Sequence, residues 1–259
     1  MDLGLKGKWA IVSGASKGLG YACAHALAQE GVNLVLTSRT AATLAESSAR
    51  IKADTGVQVI AIPADIKTEQ GRKLVLAAAP QVDILVNNAG GPPPGDFRDF
   101  SRDDWIAALE GNMLSPIEMI KATVDGMIER KFGRIVNITS AAVKAPVDNL
   151  CLSNGARSGL TGFTGGVARQ IAGHNVTLNN LLPGKFETDR LRGNNAQRAT
   201  AENLPYEELV SRQIKTIPAG RFGIPAEFGH ACAFLCSAYA GYITGQNLLI
   251  DGGAYAGTL

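Results

Sequence analysis

Residues 8–31 read KWAIVSGASKGLGYACAHALAQEG, and the order of residue types within this stretch decides the fold. Lys8 to Ser13 is a short apolar run, the segment from Ser13 to Gly20 is rich in glycine, and Leu19 to Glu30 repeats apolar residues at helical spacing until Gly31 stops it. The stretch is therefore a strand, a turn and a helix. The same alternation recurs along the chain. Strand patterns at 32–38, 57–62 and 82–88 are followed by helical patterns near 40–54 and 68–78 and by two helices within 102–131. Further strand patterns lie at 133–140, 175–183 and 246–250, with helices near 152–172 and 225–237 between them.

Seven strands thus alternate with helices, and each strand is a continuous apolar run. Such runs belong to strands buried on both faces, and right-handed crossovers between them give an α/β doubly wound Rossmann fold: a seven-stranded parallel sheet with helices on both faces. The 259 residues, 46% hydrophobic and 19% charged, suit one domain with a large core. No repeat or linker interrupts it. The one break in composition, residues 187–217, is polar and helix-permissive, and its position after a strand end reads as a lid over a ligand crevice.

Twenty-five Lys and Arg against 23 Asp and Glu leave a net charge of +2 without like-charge blocks, which argues against nucleic acid as a partner. The amino-terminal residues fit neither a signal peptide nor a membrane span, so a cytoplasmic location and a small-molecule ligand are expected. Cys23, Cys151, Cys232 and Cys236 form no CxxC pair and read as thiols, with no metal site and no disulfide.

In a doubly wound sheet the first strand-to-helix turn receives a pyrophosphate at the positive end of the helix. Here that turn supplies Gly14, Ser16, Lys17, Gly18, Leu19 and Gly20 in a GxxxGxG spacing. The same residues fit the hydrolase elbow GxSxG. That elbow needs a downstream acid and histidine, whereas His25, His174 and His230 lie in or beside helical patterns with no evident acidic partner. Cofactor choice is read at the end of the second strand, where an acid would hold the ribose 2′-hydroxyl of NAD. The chain has Ser38 and Arg39 there. Arg39 can fork onto a 2′-phosphate with Lys17 adding charge, so NADP(H) is preferred over NAD(H). Asp65 and Ile66 after the third strand, and Asn88, Ala89 and Gly90 after the fourth, lie on the same carboxyl edge.

These features, with Asn112, the Val136 to Ser140 segment, the run NNLLPGKFETD at 179–189, Gly220 to Gly223 and the closing YITGQNLLIDGG at 242–253, resemble the short-chain dehydrogenase/reductase family. The resemblance is greatest to its ketoacyl-carrier-protein reductases. It implies that Pro183, Gly184 and Phe186 also border the cofactor, and that an Asn, Ser, Tyr and Lys tetrad carries out hydride transfer. Asn112 and Ser140 match the first two members. Aligning LSNGARSGL (152–160) with the family's usual YSASKAGL places Ser153 at the tyrosine and Arg157 at the lysine. An alkyl hydroxyl is a far weaker acid than a phenol, and an arginine holds a cofactor ribose or an anion but does not relay a proton.

Three functions follow from this departure. The first is an oxidoreductase for a carbonyl or alcohol, its substrate anionic or an acyl thioester, whose proton comes from water held by Ser140, Ser153 and Asn112, from Tyr206, or from Lys144. The second is a cofactor-binding regulator, or an inactive subunit paired in a hetero-oligomer with an active relative. The third is lyase, isomerase or hydrolase chemistry in which Arg157 stabilises an oxyanion or binds a carboxylate, with Arg190, Arg192 and Arg198 adding charge for an anionic substrate unless they form a solvated helix face. The resemblance also implies a homotetramer or homodimer, with interfaces at the helices within 102–131 and 152–172 and at the last strand.

Overall fold

The computed structural model describes residues 2–258. Its centre is one parallel sheet of seven strands in the order β3-β2-β1-β4-β5-β6-β7. The strands are β1 (Trp9–Ser13), β2 (Asn33–Ser38), β3 (Val59–Pro63), β4 (Ile84–Asn87), β5 (Gly133–Ile138), β6 (Val176–Pro183) and β7 (Asn247–Ile250). The order reverses direction between β1 and β4, which opens a crevice at the carboxyl edge of the sheet.

Alternate strand residues serve two cores. Ala10, Val12, Leu34, Leu36, Val86 and Val136 face α1 (Gly18–Gln29) and α9 (Pro225–Cys236). Ile11, Val35, Leu85, Ile135 and Leu178 face α3 (Glu69–Ala78), α5 (Ser115–Glu129) and α6 (Cys151–Ile171). The remaining helices are α2 (Ala41–Thr55), α4 (Arg102–Leu109), α7 (Asp189–Ala201) and α8 (Tyr206–Lys215). The polar stretch 187–217 therefore folds mainly as α7 and α8, joined by residues 202–205.

Two strands depart from the expected burial on both faces. β3 and β7 are half-exposed despite their apolar sequences, because they form the two edges of the sheet and have a neighbour on one side only. Cys23, Cys232 and Cys236 are buried free thiols between α1 and α9, and Cys151 is a half-buried free thiol at the start of α6.

A row of amides crosses the interior of the sheet. Asn87, Asn137, Asn180 and Asn247 occupy matched positions on β4, β5, β6 and β7. Asn87 donates to Asn137 at 2.9 Å, Asn137 to Asn180 at 3.2 Å and Asn180 to Asn247 at 2.8 Å. Thr164 of α6 joins the row by accepting from Asn137 at 3.1 Å. Each buried amide thus finds a partner in the next strand, and a one-residue slip of any strand would leave it unpaired.

Candidate active site

The turn between β1 and α1 divides the work of its glycines. Gly14 and Gly18 have φ of +59° and +61°, where a side chain is strained. A Cβ on Gly20 would stand 2.3 Å from the Gly14 carbonyl oxygen and 2.6 Å from the Asn88 amide nitrogen. One on Gly14 would stand 2.5 Å from the same nitrogen. Gly14 and Gly20 therefore let the turn close on the end of β4, where Asn88 donates to the Gly14 carbonyl and Ser13 accepts from the Asn88 backbone N–H at 2.8 Å. Gly18 and Gly90 face outward: Cβ atoms there would meet only the Thr188 side chain at 3.7 Å and open space respectively. The first turn of α1 holds no acidic residue and no side-chain cap, so its N–H groups are available to an anion.

The neighbouring strand ends complete this half of the crevice. Arg39 is exposed and makes no ion pair among the described residues, as does Lys17. The hydroxyls of Thr37 and Ser38 are buried without partners at the end of β2. Asp65 is half-buried, its carboxylate accepting from the Lys67 backbone N–H at 3.0 Å, and Ile66 is buried. On the far side Pro183 ends β6 and Gly184 follows it, pressed against Asp251. The Phe186 ring is turned into the core, edge-on to Phe228 at 5.2 Å, so its side chain is not open to a ligand. These residues fit a dinucleotide: a glycine cradle with open N–H groups, with Lys17 inside the turn and Arg39 at the end of β2, neither of them in an ion pair among the described residues.

The other half of the crevice is built on α6. Gly155 and Gly159, one turn apart, allow the Trp105 ring and the Met113 sulfur to close on the helix, at 3.0 Å and 2.7 Å from where Cβ atoms would lie. Met113 belongs to a single π-helical turn, Glu110–Leu114, between α4 and α5. Asn112 sits in this turn, buried, with its amide nitrogen donating to the Ala108 carbonyl at 3.2 Å and its amide oxygen unpartnered. π turns of this kind recur at functional sites. Ser140 follows β5, and its hydroxyl oxygen accepts from the Ala142 N–H at 3.1 Å, which leaves the hydroxyl proton free to donate. Ser153 and Arg157 are buried one turn apart on the same face of α6, which packs on the short turn after Ser140.

Arg157 is only 7% exposed. One guanidinium nitrogen donates to the carbonyls of Ile138 at 2.7 Å and Thr139 at 2.8 Å, and the other to that of Ala89 at 3.3 Å. Arg157 thereby ties the end of β5 to the end of β4. Burial, with the charge of Arg190 adding to it, pushes its guanidinium down to about 10, so it remains a cation at neutral pH.

Tyr206 borders a cavity of about 250 Å³ with Leu191, Asn195, Val210 and Phe222. Lys144 stands 5.8 Å from the centroid of the Tyr255 ring. Arg192 and Arg198 pair with Asp189 and Glu202 along α7 and form a solvated face. His25 corrects an expectation: it has an acidic partner, Asp54, at 3.3 Å. The two come from α1 and α2, packed side by side, a proximity hidden in sequences 29 residues apart. Both groups are partly exposed at the surface. No group of side chains able to hold a metal occurs among the described residues.

A family model described as enoyl-(acyl carrier protein) reductase matches residues 14–255. The 3-oxoacyl-[acyl-carrier-protein] reductase FabG of Vibrio cholerae is 34% identical, over 98% of this chain and 99% of its own. Among solved structures, L-sorbose reductase from Gluconobacter frateurii, complexed with NADPH and L-sorbose, superposes with a TM-score of 0.94 at 27% identity, covering 99% of this chain and 100% of that one. YwfH, an NADPH-dependent reductase involved in bacilysin biosynthesis, superposes at 0.91 with 29% identity, covering 96% and 99%.

Proposed function

The chain belongs to the short-chain dehydrogenase/reductase family, and from that premise we propose that it is an NADP(H)-dependent oxidoreductase acting on a carbonyl or alcohol through an atypical active site. The observation that carries this reading is the glycine cradle of Gly14, Gly18 and Gly20, open at the first turn of α1 and followed by an unpaired Arg39. Arg39 and Lys17 favour a 2′-phosphate, and no carboxylate stands at the end of β2 to prefer the 2′-hydroxyl. The NADPH-dependent reductase YwfH and an L-sorbose reductase complexed with NADPH, both of the same fold, support the choice.

Bound NADPH supplies a hydride for the carbonyl carbon. The chain's own residues orient the carbonyl and manage charge on its oxygen. Ser140 has its hydroxyl proton free to donate to that oxygen, and Ser153 presents a second hydroxyl from the same face of α6 as Arg157. The Arg157 cation stabilises the developing alkoxide without giving up a proton. The proton comes from water held by Ser140, Ser153 and the free amide oxygen of Asn112, with Tyr206 and Lys144 as the alternative donors.

The helices α7 and α8 form the lid of a single domain. Exposed Ile106, Leu114 and Leu248 support a homotetramer or homodimer assembled through the α4 to α5 region and the β7 edge. No described helix is long and apolar enough to cross a membrane, which is compatible with a cytoplasmic enzyme.

A second reading, a cofactor-binding subunit without turnover of its own, draws on one fact: three backbone carbonyls already engage the Arg157 guanidinium. One experiment separates the two. Purified full-length protein is titrated with NADPH and NADH, then assayed with NADPH against ketones and ketoacyl thioesters. The oxidoreductase reading expects tighter binding of NADPH and substrate-dependent oxidation of it; binding without turnover on any member favours the second.

A further inference from the structure

Two guanidinium groups meet the segment after β4 with no acid to answer them. Arg157 reaches the Ala89 carbonyl from α6, and Arg190, in the first turn of α7, donates to the Gly91 carbonyl at 3.2 Å. Gly91 makes room for this approach, since a Cβ there would lie 2.8 Å from one Arg190 nitrogen and 3.2 Å from the other. Neither arginine has a carboxylate within ion-pair distance among the described residues, and Asp189, the acid beside Arg190, is paired with Arg192 instead. Burial first, and then the charge of Arg190, holds the Arg157 guanidinium below its ordinary range. Two like charges held against one short loop, the inner one buried, are stabilised by an anion between them.

We propose that Arg157 and Arg190 recognise a carboxylate of the substrate, so that the molecule reduced in this crevice is an oxo acid. This rests on the oxidoreductase reading and adds the substrate class to it. The guanidinium fork matches a carboxylate in two parallel hydrogen bonds, and the buried member gives such a contact a low-dielectric setting. The site stands at the end of β4, beside the segment carrying Ser140 that Arg157 ties down. The 2′-phosphate cations Lys17 and Arg39 stand on the other side of the crevice, at the ends of β1 and β2. The outer arginine is carried by the first turn of α7.

The test is calorimetric and needs no turnover. Full-length protein, with and without saturating NADP+, is titrated with acetoacetate, 2-oxobutanoate and 2-oxohexanoate and with the methyl ester of each. At least one acid is expected to bind about tenfold or more tightly than its ester, and to weaken as sodium chloride rises. Arg190→Gln is expected to lower that acid-to-ester ratio about tenfold, and Arg190→Lys to restore part of it. Esters binding as tightly as every acid, or a ratio unmoved in Arg190→Gln, would overturn the proposal. So would a loss of NADP+ affinity in that variant with the acid unaffected, which would assign the arginine pair to the nucleotide. Failure of wild-type protein to bind NADP+ strikes the cofactor reading alone, because the nucleotide-free titration still reads the carboxylate site.

Discussion

Arg157 holds the carbonyl oxygen of Ile138 at 2.7 Å across 19 residues of chain, so the helix that carries Ser153 is anchored to the strand that leads into Ser140. Removing the side chain leaves carbonyls unpaired at the ends of two strands, and each lost bond to a charged group is worth about 1.5–3 kcal/mol. Arg157→Met is therefore expected to destabilise the protein by several kcal/mol. Arg157→Lys, which keeps one charge and fewer donors, is expected to cost less. Denaturant unfolding followed by circular dichroism checks the order.

Gly20 and Gly90 are expected to respond oppositely to the same change. Gly20→Ala drives a methyl group into the Gly14 carbonyl and the Asn88 amide, and its NADPH affinity is expected to fall more than tenfold. Gly90→Ala adds a methyl to open space and is expected to keep the wild-type unfolding temperature within a few degrees. Fluorescence of bound NADPH and thermal unfolding of both variants make the comparison.

At the end of β2, Arg39→Ala is expected to weaken NADPH and leave NADH nearly unchanged. A charge-assisted contact of about 1.5–3 kcal/mol corresponds to roughly a 10- to 100-fold loss. Competition titrations with the two nucleotides measure the ratio.

Acid stability is expected to depend on Glu227. Its carboxylate accepts two hydrogen bonds from Arg221 and one from the Ile224 N–H, which hold it down to about 2 against an ordinary 4.5. The folded state thus binds this proton more weakly than the unfolded state. The contribution is fully present above about pH 4.5 and is lost as pH falls through about 2. The pair is solvent-exposed, so the effect is small and screened by salt. Unfolding midpoints between pH 2 and 6 should fall less steeply in Glu227→Gln than in wild type.

The sheet was legible because the strands alternate with helices at a regular interval, and the turn at 13–20 lay where the first crossover had to be. What escaped was set by tertiary packing. The edge strands β3 and β7 have the composition of buried ones, and only their place in the strand order exposes them. The π turn at Asn112 has no composition of its own. The amide row could have been suspected from asparagines in four of the strands, but its register needs the strand pairing. Arg190 could not be told from Arg192 and Arg198 in the sequence, since the three differ only in what α7 brings them against.

The central claim is the proposal that the crevice transfers a hydride with Ser153 and Arg157 at the positions where the resemblance implies the family's tyrosine and lysine. The direct measurement is transfer of label from [4-²H]NADPH, prepared separately with deuterium on each face of the nicotinamide, to the product of any ketone, oxo acid or ketoacyl thioester that the enzyme accepts. The account predicts one deuterium on the former carbonyl carbon from one of the two labelled forms and none from the other. A protein saturated with NADPH that moves no deuterium from either form to any of these substrates would contradict it.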